Sequence, residues 1–372
     1  MTDADRPAFA VITGGGTSGH VLPALAIADG LVEAGHDPAT IRYVGSKRGI
    51  ETRLVPPTGF PYTFLDVIGL QRRLELSNLL FPIKLARAVW TAFRLIGRWR
   101  PRVIVTLGGY ASLPSVVAGR LRRVPILVVA YDKRPGQSSR IAARFAVASA
   151  VAFPGSSLPR SRLTGSPLRT EVLAVDRQAD RSAARAALGL PEDRFVVAVI
   201  GGSLGSGVIN PVVSDLVERC AERRDLAVRH VVGQRFVDDA SPARDGATGI
   251  LYQVIGYEDR MPMVYAAADL VVARAGAGTV AELATIGVPS ILVPWAGAAE
   301  DHQTDNARTL EVAGAAVVIP ESELTSDRLL AEIEDLRADP ALLERMAACA
   351  RAEGAIHRSG SLVRLVEEVA GR

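Results

Sequence analysis

The chain is poor in cysteine, histidine and aromatic side chains, and over one long stretch it has no acidic group at all. Of its 372 residues two are Cys, five are His and 5% are aromatic. Cys220 and Cys349 cannot build a disulfide framework and show no metal-ligand spacing, so they fit a reducing compartment and no metal site is expected. Few aromatics and no nucleic-acid-binding module argue against a nucleic-acid partner. No run approaches the ~18 apolar residues of a membrane span. The opening MTDADRPAFA is acidic and lacks an apolar core, so no secretory leader is expected. A G-x-x-x-x-G-K-[ST] phosphate loop is missing, which counts against an ATPase.

The missing acids lie between Leu76 and Tyr131, although the net charge is only +3. Lys84, Arg87, Arg94, Arg98, Arg100, Arg102, Arg120, Arg122 and Arg123 fall in this stretch. Within 79–99, Lys84, Arg87, Thr91, Arg94 and Arg98 recur at spacings of three and four, which makes one cationic stripe on a helix. Leu85, Val89, Ala92, Ile96 and Trp99 recur on another face, widened by Ala86, Trp90 and Phe93, and Leu79, Leu80 and Phe81 precede them. Such a helix suits either a core position with one wet edge or docking on an anionic lipid surface.

What is abundant is glycine and short apolar runs. Hydrophobic residues make up 48% of the chain and charged ones 22%, an ordinary globular composition. FAVIT, IRYVG, VIVTLG, PILVVA and SAVAF read as buried strands separated by helical segments. After about residue 168 the alternation restarts with FVVAVIGG, VRHVVG, ILYQVI, LVVARAG and SILVPW. This predicts an α/β fold of two Rossmann-like, doubly wound parallel-sheet domains. The expected bounds are 1–166 and 167–354, with a last helix within 355–372 packing back on the first domain.

Each half opens with a glycine-rich strand-to-helix turn, TGGGTSGH and IGGSLGSG. Glycine there permits tight turns and lets backbone N–H groups approach a ligand, while the following helix offers a positive dipole end to a phosphate. Gly14, Gly16 and Gly19 fit G-x-G-x-x-G, but the second strand, IRYVGSKR, carries no acid to hold a ribose, so a nicotinamide cofactor is not expected. A third turn, ARAGAGTVAEL, places Thr279 and Glu282 early in a helix. Glu282 reads either as a carboxylate favoured by the dipole or as an acceptor for ribose hydroxyls.

Taken together, GGGTSGHVLPALAIA, LGGYASLPS, GSPLRTEVL, GGSLGSGVIN, RAGAGTVAEL and EDHQTDNA resemble the MurG family, in the family's order and over nearly the whole chain. The resemblance implies a GT-B fold with two domains facing a deep cleft. It also implies an inverting, cofactor-free transfer of GlcNAc from UDP-GlcNAc to undecaprenyl-pyrophosphoryl-MurNAc-pentapeptide (lipid I), giving lipid II for peptidoglycan. The enzyme would be peripheral on the cytoplasmic face of the membrane, with a cell-wall synthesis or division complex as partner. Thr17, Ser18 and Gly19 match the first donor loop, Arg169 an arginine near the linker and Ser203 a serine near the diphosphate. Ala277, Gly278, Thr279, Val280 and Glu282 match the helix that meets the diphosphate and ribose, and Gln303 a glutamine on the GlcNAc hydroxyls. His20, Tyr110 and Asn210 match residues tied to acceptor handling or catalysis.

The family usually carries His-Glu-Gln-Asn where this chain has Val129, Ala130, Tyr131 and Asp132, and a glutamine where it has Leu204. Asp132 accepts hydrogen bonds but cannot donate as an amide does. Two candidate bases remain, His20 and Asp132. The readings to be separated are the lipid I transferase, a related UDP-sugar enzyme (a transferase with another lipid or natural-product acceptor, or an epimerase), and a UDP-sugar-binding relative without turnover.

Overall fold

A computed structural model describes residues 6–67, 81–202 and 204–371. The chain divides into two compact units, Met1–Thr170 with Ile356–Arg372, and Glu171–Ala355. The division falls four residues beyond the 166/167 boundary expected from the Gly and Pro cluster.

In the first unit, strands β1 (Ala10–Thr13), β2 (Ile41–Ser46), β3 (Tyr62–Leu65), β4 (Val103–Thr106), β5 (Ile126–Ala130), β6 (Ala148–Val151) and β7 (Ser161–Leu163) form one sheet in the order β3-β2-β1-β4-β5-β6-β7. All its pairings are parallel. The inner strands are buried on both faces, hence their unbroken Val, Ile and Ala content. Helices α1 (Ser18–Glu33), α2 (Glu51–Leu54), α3 (Phe81–Trp99), α4 (Leu113–Arg122) and α5 (Gln137–Ala143) connect them. Helix α3 turns Ala88, Ala92, Ile96 and Trp99 into the core with Ile104 and Val128, at helical spacing.

The chain re-enters this unit through a short 3-10 turn, Ala355–Arg358, and the C-terminal helix, Ser361–Ala370. That helix buries Leu362, Leu365, Val366 and Val369 and packs on α1, β4, β5 and β6. His36 and Arg162 reach Glu367 and Glu368 on it, at 3.0 and 2.5 Å.

The second unit contains α6 (Thr170–Leu173), α7 (Arg177–Leu188), β8 (Phe195–Ile200), α8 (Ile209–Arg219), β9 (Leu226–Val231), β10 (Arg244–Asp245), β11 (Leu251–Ile255), α9 (Met261–Ala267), β12 (Leu270–Ala273), α10 (Ala277–Ile286), β13 (Ser290–Leu292), α11 (His302–Val312), β14 (Ala316–Val318), α12 (Ser326–Ala338) and α13 (Pro340–Gly354). Its sheet runs β10-β11-β9-β8-β12-β13-β14. Only the short edge strand β10, which the sequence pattern does not announce, pairs antiparallel. Both sheets reverse strand order once, between β1 and β4 and between β8 and β12. In doubly wound sheets ligands bind outside the carboxyl ends of the strands at such a reversal.

Candidate active site

In the first unit the reversal point is occupied by the turn after β1. There α1 begins at Ser18 behind Thr17, whose side chain makes no capping bond, and no acid lies in its first turn. In the second unit α10 begins behind Gly276, again without a side-chain cap or first-turn acid. Elsewhere in the chain Asp176, Thr325 and Asp339 cap α7, α12 and α13. The helix starts at the two reversal points thus offer backbone N–H groups to an anion, an openness they share with other helices such as α4 and α5; it is their place at the reversals that sets them apart.

The turn after β1 is held from several sides. Gly109, in the turn after β4, has φ +75°, and a Cβ there would lie 2.8 Å from Gly15 O, so the two glycine turns touch backbone to backbone. Tyr110 lies against Gly16, where a Cβ would meet its ring at 3.3 Å. Tyr43 donates to Gly14 O at 2.8 Å. Pro23 lies inside α1 and has no N–H for the carbonyl four residues back. That carbonyl, Gly19 O, accepts the Tyr131 hydroxyl at 2.5 Å instead. Tyr131 is buried, and burial first, then the charge of Asp132, holds its hydroxyl far above the ordinary range.

His20 sits in the first turn of α1 with Nδ1 3.1 Å from Thr17 Oγ1. When Nδ1–H donates to that hydroxyl, the Nε2 lone pair is left to take a proton. Burial lowers the imidazole's pKa; the negative charges of Asp132 and Glu51 oppose the shift. Tyr131 meets the imidazole edge to face at 6.4 Å. The first unit thus gathers Thr17, Gly19, His20, Tyr110 and Asp132 at the ends of β1, β4 and β5, while Arg169 lies half-buried in the segment that leaves the unit. Ser18 opens α1, and Ser203 lies outside the described residues.

In the second unit Gly205, φ +74°, packs so closely that a Cβ would lie 2.1 Å from Val232 O. Ser206 Oγ accepts from Ile209 N at 3.1 Å and from Arg274 at 2.7 Å. Arg274 also donates to Val293 O at 3.1 Å and pairs with Glu321 at 2.5 Å. Glu321 accepts from Ala296 N at 3.1 Å, so one arginine joins the loops after β8, β13 and β14. In α10, Ala277 and Val280 are buried, Gly278 is exposed, and Thr279 and Glu282 are half-buried. Glu282 accepts the Tyr265 hydroxyl at 2.8 Å, which fixes its orientation. Gln303 Oε1 accepts from Trp295 N at 3.0 Å, which leaves its NH2 group as the outward donor.

Asn210 stands apart from these. Its Nδ2 donates to Val232 O at 2.9 Å and its Oδ1 lies 3.2 Å from His230 Nε2. His230 Nδ1 lies 3.0 Å from the Tyr252 hydroxyl, and burial lowers its pKa to about 3, so the chain of bonds runs through a neutral imidazole. The network locks α8 to β9. Sequence patterns single out neither Arg274's partner Glu321, nor His230 and Tyr252, nor Glu51.

The description "Glycosyltransferase family 28 N-terminal domain" matches residues 10–151 and "Glycosyltransferase family 28 C-terminal domain" residues 196–359. The solved structure of MurG from Acinetobacter baumannii is 27% identical, with a TM-score of 0.74 over 97% of this chain and 100% of its own. A UDP-N-acetylglucosamine--N-acetylmuramyl-(pentapeptide) pyrophosphoryl-undecaprenol N-acetylglucosamine transferase of Desulforudis audaxviator is 38% identical over 97% of this chain and 98% of its own length. The chain belongs to the MurG family. A protein of the same description from Clavibacter michiganensis is also 38% identical, over 96% of this chain and 95% of its own. Membership gives this chain the GT-B fold class and makes it a glycosyltransferase.

Proposed function

We propose that this MurG-family chain transfers GlcNAc from UDP-GlcNAc to lipid I, forming lipid II. The observation that carries the reading is identity to transferases of that description along nearly the full length of both chains. The open helix starts at the two reversal points supply the chemistry the reaction needs. An acceptor hydroxyl oxygen bonds to the sugar C1 as the C1–diphosphate bond breaks, and UDP leaves with the electron pair. Backbone amides of α10, with Arg169 and Ser203, stabilise the charge growing on the diphosphate. Glu282 receives the ribose hydroxyls and Gln303 the GlcNAc hydroxyls, which here must accept from its NH2 group. His20 takes the acceptor proton on Nε2, with Asp132 as the rival base and Tyr110 and the Thr17–Gly19 turn shaping the pocket. Asn210, with both amide atoms engaged inside the protein, serves as framework.

The lipid-linked acceptor calls for membrane contact, and no helix among the described residues is long and apolar enough to cross a membrane. Helix α3 is the docking surface in this reading. Arg87 and Arg94 are exposed and Lys84 half-exposed on it. Trp90 and Ile83 are 62% and 57% exposed, and Leu121 on the adjoining α4 is 62% exposed. Large apolar groups beside a concentration of cations suit an anionic headgroup layer. Leu79 and Leu80 fall outside the described residues. The membrane face would be the cytoplasmic one of a bacterium.

The test is UDP release from UDP-GlcNAc with a short-chain lipid I analogue, with and without EDTA. Acceptor-dependent, EDTA-resistant release with a disaccharide-pentapeptide product establishes the reading. Donor binding without release refutes it for this acceptor and favours the relative without turnover, consistent with Ala130 and Asp132 replacing the family's glutamate and asparagine.

A further inference from the structure

Beneath the turn after β1 lies a carboxylate that none of these roles uses. Glu51, the first residue of the one-turn helix α2, is fully buried, at 0% exposure. Its Oε2 accepts from Gly16 N at 3.0 Å and its Oε1 from Ser46 N at 2.8 Å. Among the described residues it forms no ion pair. Burying a carboxylate without a cation is costly, so the fold must gain something specific from it. Its surroundings are built around it. A Cβ on Gly49 would lie 1.9 Å from the carboxylate, and one on Gly15 2.3 Å. On Gly45 a Cβ would meet the same side chain at 3.0 Å. A side chain at Gly49 or Gly15 would displace the Glu51 carboxylate from the turn.

Resting on the transferase reading above, we propose that Glu51 is a positioning residue of the catalytic site. It ties the glycine turn to the end of β2 and supplies the negative charge that steadies His20 when the imidazole takes up the acceptor proton. The groups around His20 are few. Thr17 meets its Nδ1 at 3.1 Å, Tyr131 from the end of β5 lies edge to face with it, and Glu51 from α2 and Asp132 beyond β5 act on it through their charge. Of these only Glu51 and Asp132 bring charge, and both act on the imidazole in the same sense, against burial. Glu51 holds no position from which it could touch substrate, so its effect passes through His20 and the Gly16 amide. A glutamine of the same shape keeps one acceptor but turns an NH2 group on the second N–H donor and removes the charge.

The experiment uses the full chain, wild type and Glu51→Gln, with His20→Gln to assign the imidazole signal. The His20 titration midpoint is read by NMR, and kcat and donor KM are read across pH. In Glu51→Gln the midpoint should fall by about half a pH unit or more, because an imidazolium loses a compensating charge. The acid limb of kcat should move down with it, kcat at neutral pH should fall roughly tenfold, and donor KM should stay within about twofold. A folded variant whose midpoint and acid limb match wild type overturns the proposal. The midpoint is measured without turnover, so an inactive wild type would refute the transferase reading while Glu51 is still judged. Should Glu51→Gln fail to fold, Glu51→Asp keeps the charge but shortens the reach. It should hold the midpoint and lower kcat, and a displaced midpoint there also overturns the proposal.

Discussion

Replacing Tyr131 with Phe removes one oxygen and leaves Gly19 O without its donor. In most helices the loss would be minor, because the residue four positions on would donate. Here that residue is Pro23, which cannot. Losing a partner for a partly buried carbonyl costs about 1–1.5 kcal/mol. In a unit of this size that lowers Tm by roughly 2–6 °C. The cost should depend on Pro23, which supplies a sharper check. In a Pro23→Ala background the alanine's own N–H can reach Gly19 O, so Tyr131→Phe should then cost under about 0.5 kcal/mol. The coupling between the two sites is therefore about 1 kcal/mol. Thermal or denaturant unfolding of the four proteins closes the cycle. Turnover should follow, falling in Tyr131→Phe and recovering in the double variant, because Gly19 and His20 share the first turn of α1. An equal penalty in both backgrounds would falsify the claim that this hydroxyl replaces a helical N–H.

Other outcomes can be measured independently. In the second unit Arg229 and Glu258 pair at 4% exposure each, and Arg229→Ala leaves the buried carboxylate only the Arg260 N–H at 2.9 Å and the exposed Arg260 guanidinium at 3.6 Å. It should cost about 3 kcal/mol or more in denaturant unfolding, and a loss below about 1 kcal/mol would show the pair is not needed. His357 accepts from Ser166 N at 2.9 Å, and burial lowers its pKa from 6.5 to about 4. The folded state thus favours the neutral ring, so stability is full above pH 6.5 and declines as pH falls toward 4. The slope is at most about 1.4 kcal/mol per pH unit, and the Tm of His357→Asn should fall less steeply with acid than wild type does. Changing Lys84, Arg87 and Arg94 together to Glu should weaken binding to anionic vesicles by roughly a hundredfold or more, at about 1 kcal/mol per cation. Equal sedimentation of wild type with neutral and anionic vesicles would sink the docking role of α3.

Much of this architecture was legible in the sequence, for a physical reason. Strands buried on both faces must be runs such as VIVT and LVVA, and turns with touching backbones must be glycine, so both leave local marks. The antiparallel β10 left none, being two residues long and at an edge. Among the site residues, His20 and Glu282 stand out in the sequence because their types suit a proton transfer and a hydroxyl acceptor. The site was not legible where function depends on partners distant in the chain. Tyr131 matters because of Pro23, more than a hundred positions away, and Arg274 because of Ser206 and Glu321. Glu51 is one acid among many until its burial is known. Asn210 shows the converse, since the family resemblance implies acceptor handling or catalysis while both ends of its amide bond within the protein.

The return of the chain to its first unit has a consequence for birth on the ribosome. The N-terminal sheet is translated early, yet the helix that covers α1 beside β4, β5 and β6 is coded at 361–370, beyond the second unit. All of Glu171–Ala355 must be made first. At 5–20 residues per second, a nascent chain carries an uncovered apolar flank for roughly 10–40 s, long enough for chaperones to act on it. A ribosome that stops short of residue 361 would release a sound second unit attached to an unfinished first one. The half of the enzyme that is made first is therefore completed only by residues made after the whole of the second unit.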